Sequence, residues 1–271
     1  MLNCRRLGSP NFQRYAMKVS PMLICTALLS FALAASPVTV CAQKNKDADK
    51  QEEQVTEESM EALQEAMDDL VSALKEKDYE EARAMIDKIA VKYKGGDKAQ
   101  REAAVKLLQS CLKNKKKVVR NAAITSLGQT GGKAVKILMK GAKASKKDAS
   151  LQQRYLAAAG KLRDEKIIPD LIKYMNNKDN NTIKTAIYAL GRYNESSTKV
   201  RKMIVKALLK QYSSVASAYT KPNPSTSDRQ KYDALFAPFE STLKKLTKQE
   251  MEGFNLWDRW YRKVGKKRKE W

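Results

Sequence analysis

An internal repeat over residues 118–212 constrains the fold more than any other feature of the sequence. Three blocks align on Gly128, Gly160 and Gly191, which lie 32 and 31 residues apart. In each block, apolar residues recur three and four positions apart before the glycine and a second apolar run follows it, which is the pattern of two amphipathic helices. One helical hairpin cannot bury both of its apolar faces, so neighbouring hairpins must stack. The sequence therefore predicts an all-α fold, an α-solenoid of stacked helical hairpins.

The three glycines are predicted to end the first helix of each block. Glycine adopts the left-handed backbone conformation at little cost and for this reason commonly follows the last residue of a helix. Small residues near the glycines would also let neighbouring helices approach closely. These residues are Ala122, Ala123, Ala157, Ala158, Ala186 and Ala189.

The first block, VVRNAAITSLGQTGGKAVKILMKGAK over residues 118–143, resembles a short bacterial HEAT-type repeat. The likeness rests on the valine–arginine start, the paired alanines, the step from Leu127 to Gly128 and the apolar second helix. The second block has Ala159 before its glycine and Pro169 near the start of its second helix, whereas the third block lacks that proline. The resemblance covers about 95 residues and implies a right-handed α-solenoid that acts as a binding scaffold. It names no activity, because such scaffolds serve many purposes.

A helical hairpin is predicted before the repeats, over residues 60–96, with its turn near Lys77 and Asp78. The segment LKEKDYEEARAMIDKI within it resembles a tetratricopeptide-type hairpin. We expect this hairpin to be the N-terminal cap that a solenoid needs, and the alternative is an independent peptide-binding module. Together with the repeats it defines a predicted solenoid over residues 60–212.

The part of the sequence after the repeats is predicted to close the other end of the array. Residues 213–228 are rich in Ser, Thr and Pro and are predicted to be a linker. Residues 229–263 are predicted to form a helical cap, whose second helix starts at a capping box of Thr247 and Glu250. The residues expected to seal the array, or alternatively to form a ligand cage, are Phe254, Trp257, Trp260 and Tyr261. Residues 264–271 form a strongly basic tail that is expected to be mobile.

Residues 1–42 have the pattern of a cleaved signal peptide. Residues 22–35 form an apolar run that is too short for a comfortable membrane span, and Val40 and Ala42 are small residues placed for cleavage. An exported protein, periplasmic or extracellular, is therefore predicted. The alternatives are an uncleaved N-terminal anchor, a lipoprotein attached at Cys41, and a cytosolic chain.

Cysteine use agrees with this interpretation. Cleavage would remove Cys4, Cys25 and Cys41 and leave Cys111, so no internal disulfide is predicted. Cys111 lies among leucines at helical spacing and is expected to be a small buried side chain. Residues 43–59 are polar and acidic, have little to bury, and are predicted to be a disordered linker.

Positive charge is concentrated in the repeats. Residues 98–212 contain 27 Lys plus Arg and 7 Asp plus Glu, within a chain whose net charge is +23. Two rows of lysines lie at helical spacing on the second helices of the first and last repeats. The resemblance implies that second helices line a concave side, so these lysines are the predicted partner-binding residues and are expected to face one groove. They are Lys136, Lys140, Lys143, Lys202, Lys206 and Lys210. A solvated helix surface is the alternative.

The sequence contains no histidine, so the usual general base near neutral pH and the commonest metal ligand are missing. We identify no set of acid, base and nucleophile, and we predict no enzyme activity, no cofactor and no metal site. An enzyme remains the third hypothesis, since some DNA alkylation-repair glycosylases and bilin lyases are built from HEAT-like repeats. The leading hypothesis is an exported scaffold that binds a protein partner or an acidic polymer. The alternative is binding of nucleic acid or another polyanion.

Overall fold

The computed structural model describes the backbone of residues 46–94 and 96–271 and the side chains of residues 61–94 and 96–271. Within this part of the chain all regular structure is helical, and no β-strand occurs. The α-helices are α1 (Lys46–Glu76), α2 (Tyr79–Lys92), α3 (Lys98–Cys111), α4 (Lys117–Thr130), α5 (Ala134–Ala144), α6 (Ala149–Lys161), α7 (Ile168–Tyr174), α8 (Asn180–Leu190), α9 (Thr198–Tyr219), α10 (Thr226–Thr247) and α11 (Phe254–Trp260). Short 3-10 turns, Glu165–Ile167 and Gly191–Tyr193, precede α7 and follow α8, and a π-helical segment, Tyr261–Gly265, follows α11. The predicted signal peptide, residues 1–42, lies outside the described residues.

The helices form two layers. In the first layer α2, α4, α6, α8 and α10 pack one against the next. The second layer contains the odd-numbered helices, in which α1 packs on α3, α7 on α9, and α9 on α11. Each odd-numbered helix from α1 to α9 also packs on the even-numbered helix that follows it. This stacking of hairpins confirms the predicted all-α solenoid.

Local sequence explains where most helices begin. Aspartate side chains at four helix starts accept hydrogen bonds from backbone N–H groups of the first turn, which satisfies donors that have no partner inside the helix. These N-cap residues are Asp78, Asp97, Asp148 and Asp179. Ser197 and Ser225 do the same for α9 and α10. Pro169 stands in the first turn of α7, where its missing N–H is not needed.

The prediction that the three repeat glycines end their helices in the left-handed conformation is wrong. Gly128 and Gly160 lie inside α4 and α6, and Gly191 follows α8 with a right-handed φ of −64°. A Cβ atom on Gly128 would lie 2.9 Å from the carbonyl oxygen of Ala158, and one on Gly160 would lie 2.6 Å from the Cβ atom of Ala189. The glycines are therefore required because first-layer helices touch there. Left-handed residues follow later, in the turns, and are Gly131, Gly132 and Arg163.

The same contact continues into α10. A Cβ atom on Gly191 would lie 3.2 Å from Cγ2 of Thr242. Ala158 and Ala189 each stand two residues before the next repeat glycine, and Thr242 occupies the corresponding position in α10. Since α10 also packs on α8, it is the first-layer helix of a further repeat, where the sequence predicts only a cap. The length of α9, 22 residues against 11 in α5, hides this repeat because it shifts α10 out of the period.

Two helices extend into stretches that the sequence predicts to be linkers. α1 begins at Lys46 and takes in most of residues 43–59, since this stretch is rich in helix-forming residues. α9 continues to Tyr219 and α10 begins at Thr226, so only a short connection remains of the linker predicted over residues 213–228. The buried residues that extend the apolar stripe of α9 are Tyr212, Val215 and Ala216.

The start of α11 differs from the predicted capping box as well. Thr247 is the last residue of α10, and its hydroxyl donates a hydrogen bond of 2.8 Å to the carbonyl oxygen of Leu243. α11 begins after Gly253, whose φ of 85° is a conformation that glycine adopts far more readily than other residues. In the described part of the chain, every helix is too short or too polar to cross a bilayer.

Candidate binding surface

The lysine row of α5 lies on the solvent side of the second layer. Lys136 and Lys140 are exposed, whereas Lys143 binds Asp170 of α7, with 3.1 Å between Nζ and Oδ2. Lys173 binds the same carboxylate at 3.2 Å. Partial burial acts to raise the pKa of Asp170, but the hydrogen bonds from the two lysines outweigh it and hold the pKa below its ordinary value. One lysine of the row is thus engaged in an ion pair.

Lys136 also lines a surface cavity of about 440 Å³ beside α3 and α5, which we call the α3–α5 cavity. Its charged lining residues are Lys98, Arg101, Glu102, Lys133, Lys136, Asp164 and Lys166. Glu102 binds Lys133 at 2.9 Å, and this hydrogen bond lowers the pKa of the Glu102 carboxyl. Five cations therefore surround two carboxylates, and no aromatic side chain lines this cavity.

The lysine row of α9 is divided between two roles. The Nζ atom of Lys202 donates hydrogen bonds to the backbone carbonyl oxygens of Lys266 and Arg268 and lies 5.8 Å from the centre of the Trp271 ring. Lys202 therefore holds the last residues of the sequence against α9. Lys206 and Lys210 are exposed and line a different cavity.

This second cavity, which we call the α9–α11 cavity, has a volume of about 500 Å³. Its apolar lining consists of Leu209, Phe254 and Tyr261, and Ser213 contributes a small polar side chain. Its charged lining residues are Lys206, Lys210, Asp258, Arg262 and Lys266. The guanidinium of Arg262 donates through Nε to Asp258 at 2.9 Å. An apolar surface is therefore surrounded by four cations and one carboxylate.

That both lysine rows face one groove remains a prediction, and the rows lie on second-layer helices that are not neighbours. α7 lies between the rows, because its Asp170 binds Lys143 of α5 while the helix packs on α9. Neither of the two cavities contains lysines from both rows. The structure thus brings Lys206 and Lys210 together with the C-terminal helices and leaves Lys136 with α3. Whether any of the six lysines binds a partner remains a prediction.

A buried carboxylate fixes the wall of the α9–α11 cavity. Glu240 of α10 is 6% exposed and accepts hydrogen bonds from the Tyr212 hydroxyl (2.8 Å), the Trp257 indole Nε1 (2.8 Å) and the Gly253 backbone N–H (3.0 Å). Tyr212 stacks on Phe239, with ring centres 4.8 Å apart. Burial, and then the hydrogen bond to Glu240, raise the pKa of Tyr212 far above its ordinary value. These contacts join α9, α10 and α11 into one unit.

The basic tail predicted to be mobile packs on this unit instead. The Trp271 indole donates to the carbonyl oxygen of Gly265 at 2.8 Å, and its ring lies edge-on to Trp260 with centres 5.4 Å apart. Arg201, which is buried, donates to a main-chain oxygen of Trp271 at 3.0 Å and to the carbonyl oxygen of Leu246 at 3.1 Å. Trp257 is fully buried and Trp260 packs edge-on against it and against Trp271, so these tryptophans close this end of the array. Phe254 and Tyr261 instead line the α9–α11 cavity.

Sequence reasoning missed the residues that complete the α9–α11 cavity. From sequence, Arg262 and Lys266 are only part of the basic C-terminal stretch, and Asp258 is given no role. The sequence of α9 does contain a pattern that could have indicated the cavity. Lys206, Leu209, Lys210 and Ser213 recur at helical spacing and so share one face of the helix. That pattern marks a helix face that is neither wholly apolar nor wholly charged.

Two observations concern metal binding and nucleophilic chemistry. Among them there is no group of three or more acidic or cysteine side chains placed to hold a metal ion. Cys111 is buried, and burial raises the pKa of its thiol, which disfavours the nucleophilic thiolate.

Comparison with known proteins agrees with the architecture. Residues 67–149, which run from within α1 to the start of α6, match the family model for HEAT repeats. No curated protein matches the chain. A crystal structure of an engineered protein aligns at 19% identity and a TM-score of 0.35, over 67% of this chain and 84% of the other. Residues 67–149 of this all-α solenoid are thus similar to HEAT repeats.

Proposed function

We propose that the chain is a non-catalytic binding scaffold that holds an acidic protein partner against its second helix layer. HEAT repeats generally serve as scaffolds for protein interaction, and the charge of this array favours an acidic partner. Residues 98–212 carry 27 Lys plus Arg against 7 Asp plus Glu. In the described part of this stretch, the cations that form ion pairs are Lys133, Lys143, Arg163 and Lys173. A surface with so many unpaired cations attracts anionic partners and speeds their association.

The second candidate is binding of nucleic acid or another polyanion. The exposed lysines Lys136 and Lys140 favour this candidate, because backbone phosphates attract lysines whatever the base sequence of the nucleic acid. Sites for single-stranded nucleic acid combine cations with aromatic side chains on which bases stack. The α3–α5 cavity has five cations and no aromatic side chain. At the α3–α5 cavity, this composition favours the protein partner.

The proposal includes export of the protein to the periplasm or the exterior. The apolar run over residues 22–35 and the small residues Val40 and Ala42 support a cleaved signal peptide. N-terminal sequencing of protein recovered from outside the cytoplasm should begin at Gln43. Recovery of a chain that still contains residues 22–35 would contradict cleavage.

The binding proposal is tested by comparing three anionic probes on the full chain across a salt titration. The probes are labelled polyglutamate, heparin and mixed-sequence single-stranded DNA. The test variant changes Lys136, Lys140, Lys206 and Lys210 to Gln, because these lysines are exposed and are not held by Asp170 or by the tail. The matched control changes Lys94, Lys161, Lys178 and Lys184, which are exposed and lie outside both cavities.

We expect polyglutamate to bind and its affinity to fall steeply as salt rises, because the attraction is between charges that salt screens. The test variant should bind more weakly with a flatter salt dependence, and the control should behave like the wild type. Equal losses in the two variants would show that these lysines are only a solvated surface. Binding of DNA alone would favour the second candidate.

A further inference from the structure

The α9–α11 cavity differs from the α3–α5 cavity because aromatic side chains line it beside the cations. Leu209, Phe254 and Tyr261 form its apolar surface, and Lys206, Lys210, Arg262 and Lys266 are the cations around it. The volume of this cavity is about 500 Å³. Ligand sites in proteins commonly have this size and this mixture of apolar walls with a few placed charges.

The backbone of the cavity wall is also unusual. In the π-helical segment Tyr261–Gly265 the N–H of Lys266 donates to the carbonyl oxygen of Tyr261 at 2.9 Å, five residues earlier. This wider turn brings Tyr261, Arg262 and Lys266 to one cavity. A side chain at Gly265 would meet the Trp260 ring at 2.8 Å, so the segment can lie here only because that residue is glycine. Single π turns are rare and often occur at functional sites.

The charges limit what can enter. Asp258 binds the Nε edge of Arg262, and this ion pair orients the guanidinium at the cavity. The presence of a carboxylate disfavours a dense polyanion such as nucleic acid, whose phosphates would approach it as well. The cations also surround one confined space, whereas a nucleic-acid strand needs an extended basic groove. A ligand with separated negative charges and an apolar group between them fits both parts of the lining.

We propose that the α9–α11 cavity is the anchor site for an acidic segment of a partner protein, in which one aromatic or aliphatic side chain lies between carboxylates. The apolar side chain would enter between Leu209, Phe254 and Tyr261. Its flanking carboxylates would pair with Lys206 and Lys210 on one side and with Arg262 and Lys266 on the other. The inference rests on the proposed scaffold function and names the site and the chemistry of the partner.

The probe is a labelled peptide with one phenylalanine among glutamates and aspartates, titrated with the full chain and followed by fluorescence anisotropy. Two control peptides replace the phenylalanine with alanine or the acidic residues with their amides. We expect each control peptide to bind at least about tenfold more weakly, because a few buried contacts carry most of the affinity at such sites.

The decisive variant is Ser213→Trp, which fills the cavity from α9 without removing a core contact. Its matched control is Ser217→Trp, since Ser217 is exposed one turn further along the same helix and outside the cavity. A second test variant is used in case Ser213→Trp misfolds. It combines Lys206→Gln and Lys210→Gln, and its control combines Lys178→Gln and Lys184→Gln. We expect Ser213→Trp and the first lysine pair each to weaken peptide binding about tenfold or more, and both controls to change it less than twofold.

Three results would overturn this assignment. Peptide binding that survives both test variants would place the acidic partner elsewhere on the basic surface and would leave the scaffold proposal standing. Single-stranded DNA binding that is lost in Ser213→Trp, without peptide binding, would assign the cavity to nucleic acid. Self-association of the wild type that Ser213→Trp abolishes would assign it to a second copy of the chain. Failure of the scaffold proposal itself gives a different result, in which no acidic probe binds the wild type.

Discussion

The indole Nε1 of Trp257 donates a hydrogen bond of 2.8 Å to Oε2 of Glu240, inside the core where α9, α10 and α11 meet. Oε1 of the same carboxylate accepts from Tyr212 and from the N–H of Gly253. Replacing Glu240 with leucine would leave these three donors, of which the Tyr212 and Trp257 side chains are buried, without their acceptor. We expect Glu240→Leu to lower the free energy of unfolding by about 3 kcal/mol or more, measured by urea denaturation.

The control for this prediction is Trp257→Phe, which removes one donor and keeps most of the apolar volume. We expect it to cost about 1–2 kcal/mol. Equal stability of the Glu240→Leu variant and the wild type would show that the carboxylate does not organise this end of the array.

The contact between Gly160 and Ala189 gives a second prediction. Alanine is usually better than glycine inside a helix by about 1 kcal/mol. Here, however, its Cβ atom would lie 2.6 Å from the Cβ of Ala189 and 3.0 Å from the Cα. We therefore expect Gly160→Ala to destabilise the protein by about 1–3 kcal/mol, measured by thermal and urea unfolding. Adding Ala189→Gly should restore part of the loss, and a double variant no more stable than the single one would contradict a direct clash.

These glycines show what a repeat pattern can and cannot predict. The 31- and 32-residue spacing of Gly128, Gly160 and Gly191 correctly indicates helices that stack, because the spacing follows the packing geometry. The pattern does not distinguish a glycine that ends a helix from one that lies where two helices touch, since both leave a glycine near an apolar run. Only the position of the neighbouring helix decides, and that is a tertiary contact.

A third prediction concerns the N-cap of α8. Asp179 accepts hydrogen bonds of 2.7 Å from the Thr182 backbone N–H and hydroxyl and one of 2.9 Å from Gln153. Partial burial acts to raise the pKa of Asp179, but these hydrogen bonds outweigh it and lower the pKa below its ordinary value. A carboxyl group whose pKa is lower in the folded state stabilises the protein above the unfolded-state pKa, about 3.9. This contribution is lost as the pH falls through the folded-state pKa.

We expect Asp179→Ala to lower the free energy of unfolding by about 1 kcal/mol at pH 7. The difference from the wild type should shrink between about pH 4 and pH 2 as the wild-type carboxylate becomes protonated. Asp179→Asn keeps a good N-cap and serves as the control, with a smaller effect that is less dependent on pH. A loss for Asp179→Ala that is the same at pH 7 and pH 2 would contradict the role of the charge.

The fourth prediction concerns Arg201, whose guanidinium donates to main-chain oxygens of Leu246 and Trp271. Methionine can fill the same space but cannot donate. We expect Arg201→Met to cost about 2 kcal/mol and to release the tail, so that tryptophan emission shifts to longer wavelength. Lys199→Met, at an exposed position of the same helix, is the control. An unchanged emission spectrum in Arg201→Met would show that the tail packs without this residue.

The candidate site was only partly predictable for a related reason. Lys206 and Lys210 can be found from sequence, because a lysine row at helical spacing marks an exposed helix face. The opposite wall comes from Phe254, Tyr261 and Arg262, about 50 residues later in the chain. Their approach depends on Glu240, whose burial no local pattern indicates. Lys136 and Lys206 line different cavities, with α7 between their helices, and that separation is again a tertiary fact.

The matching contacts of Gly160 with Ala189 and of Gly191 with Thr242 have a consequence for how the length of this protein can change. A tandem copy of residues 161–191, inserted after Gly191, would place its own alanine against the original Gly191 and its own glycine against Thr242. Each glycine contact of the first layer would then repeat a pair already present. A single duplication at this point would therefore lengthen the array by one hairpin and keep the glycine contacts of the first layer.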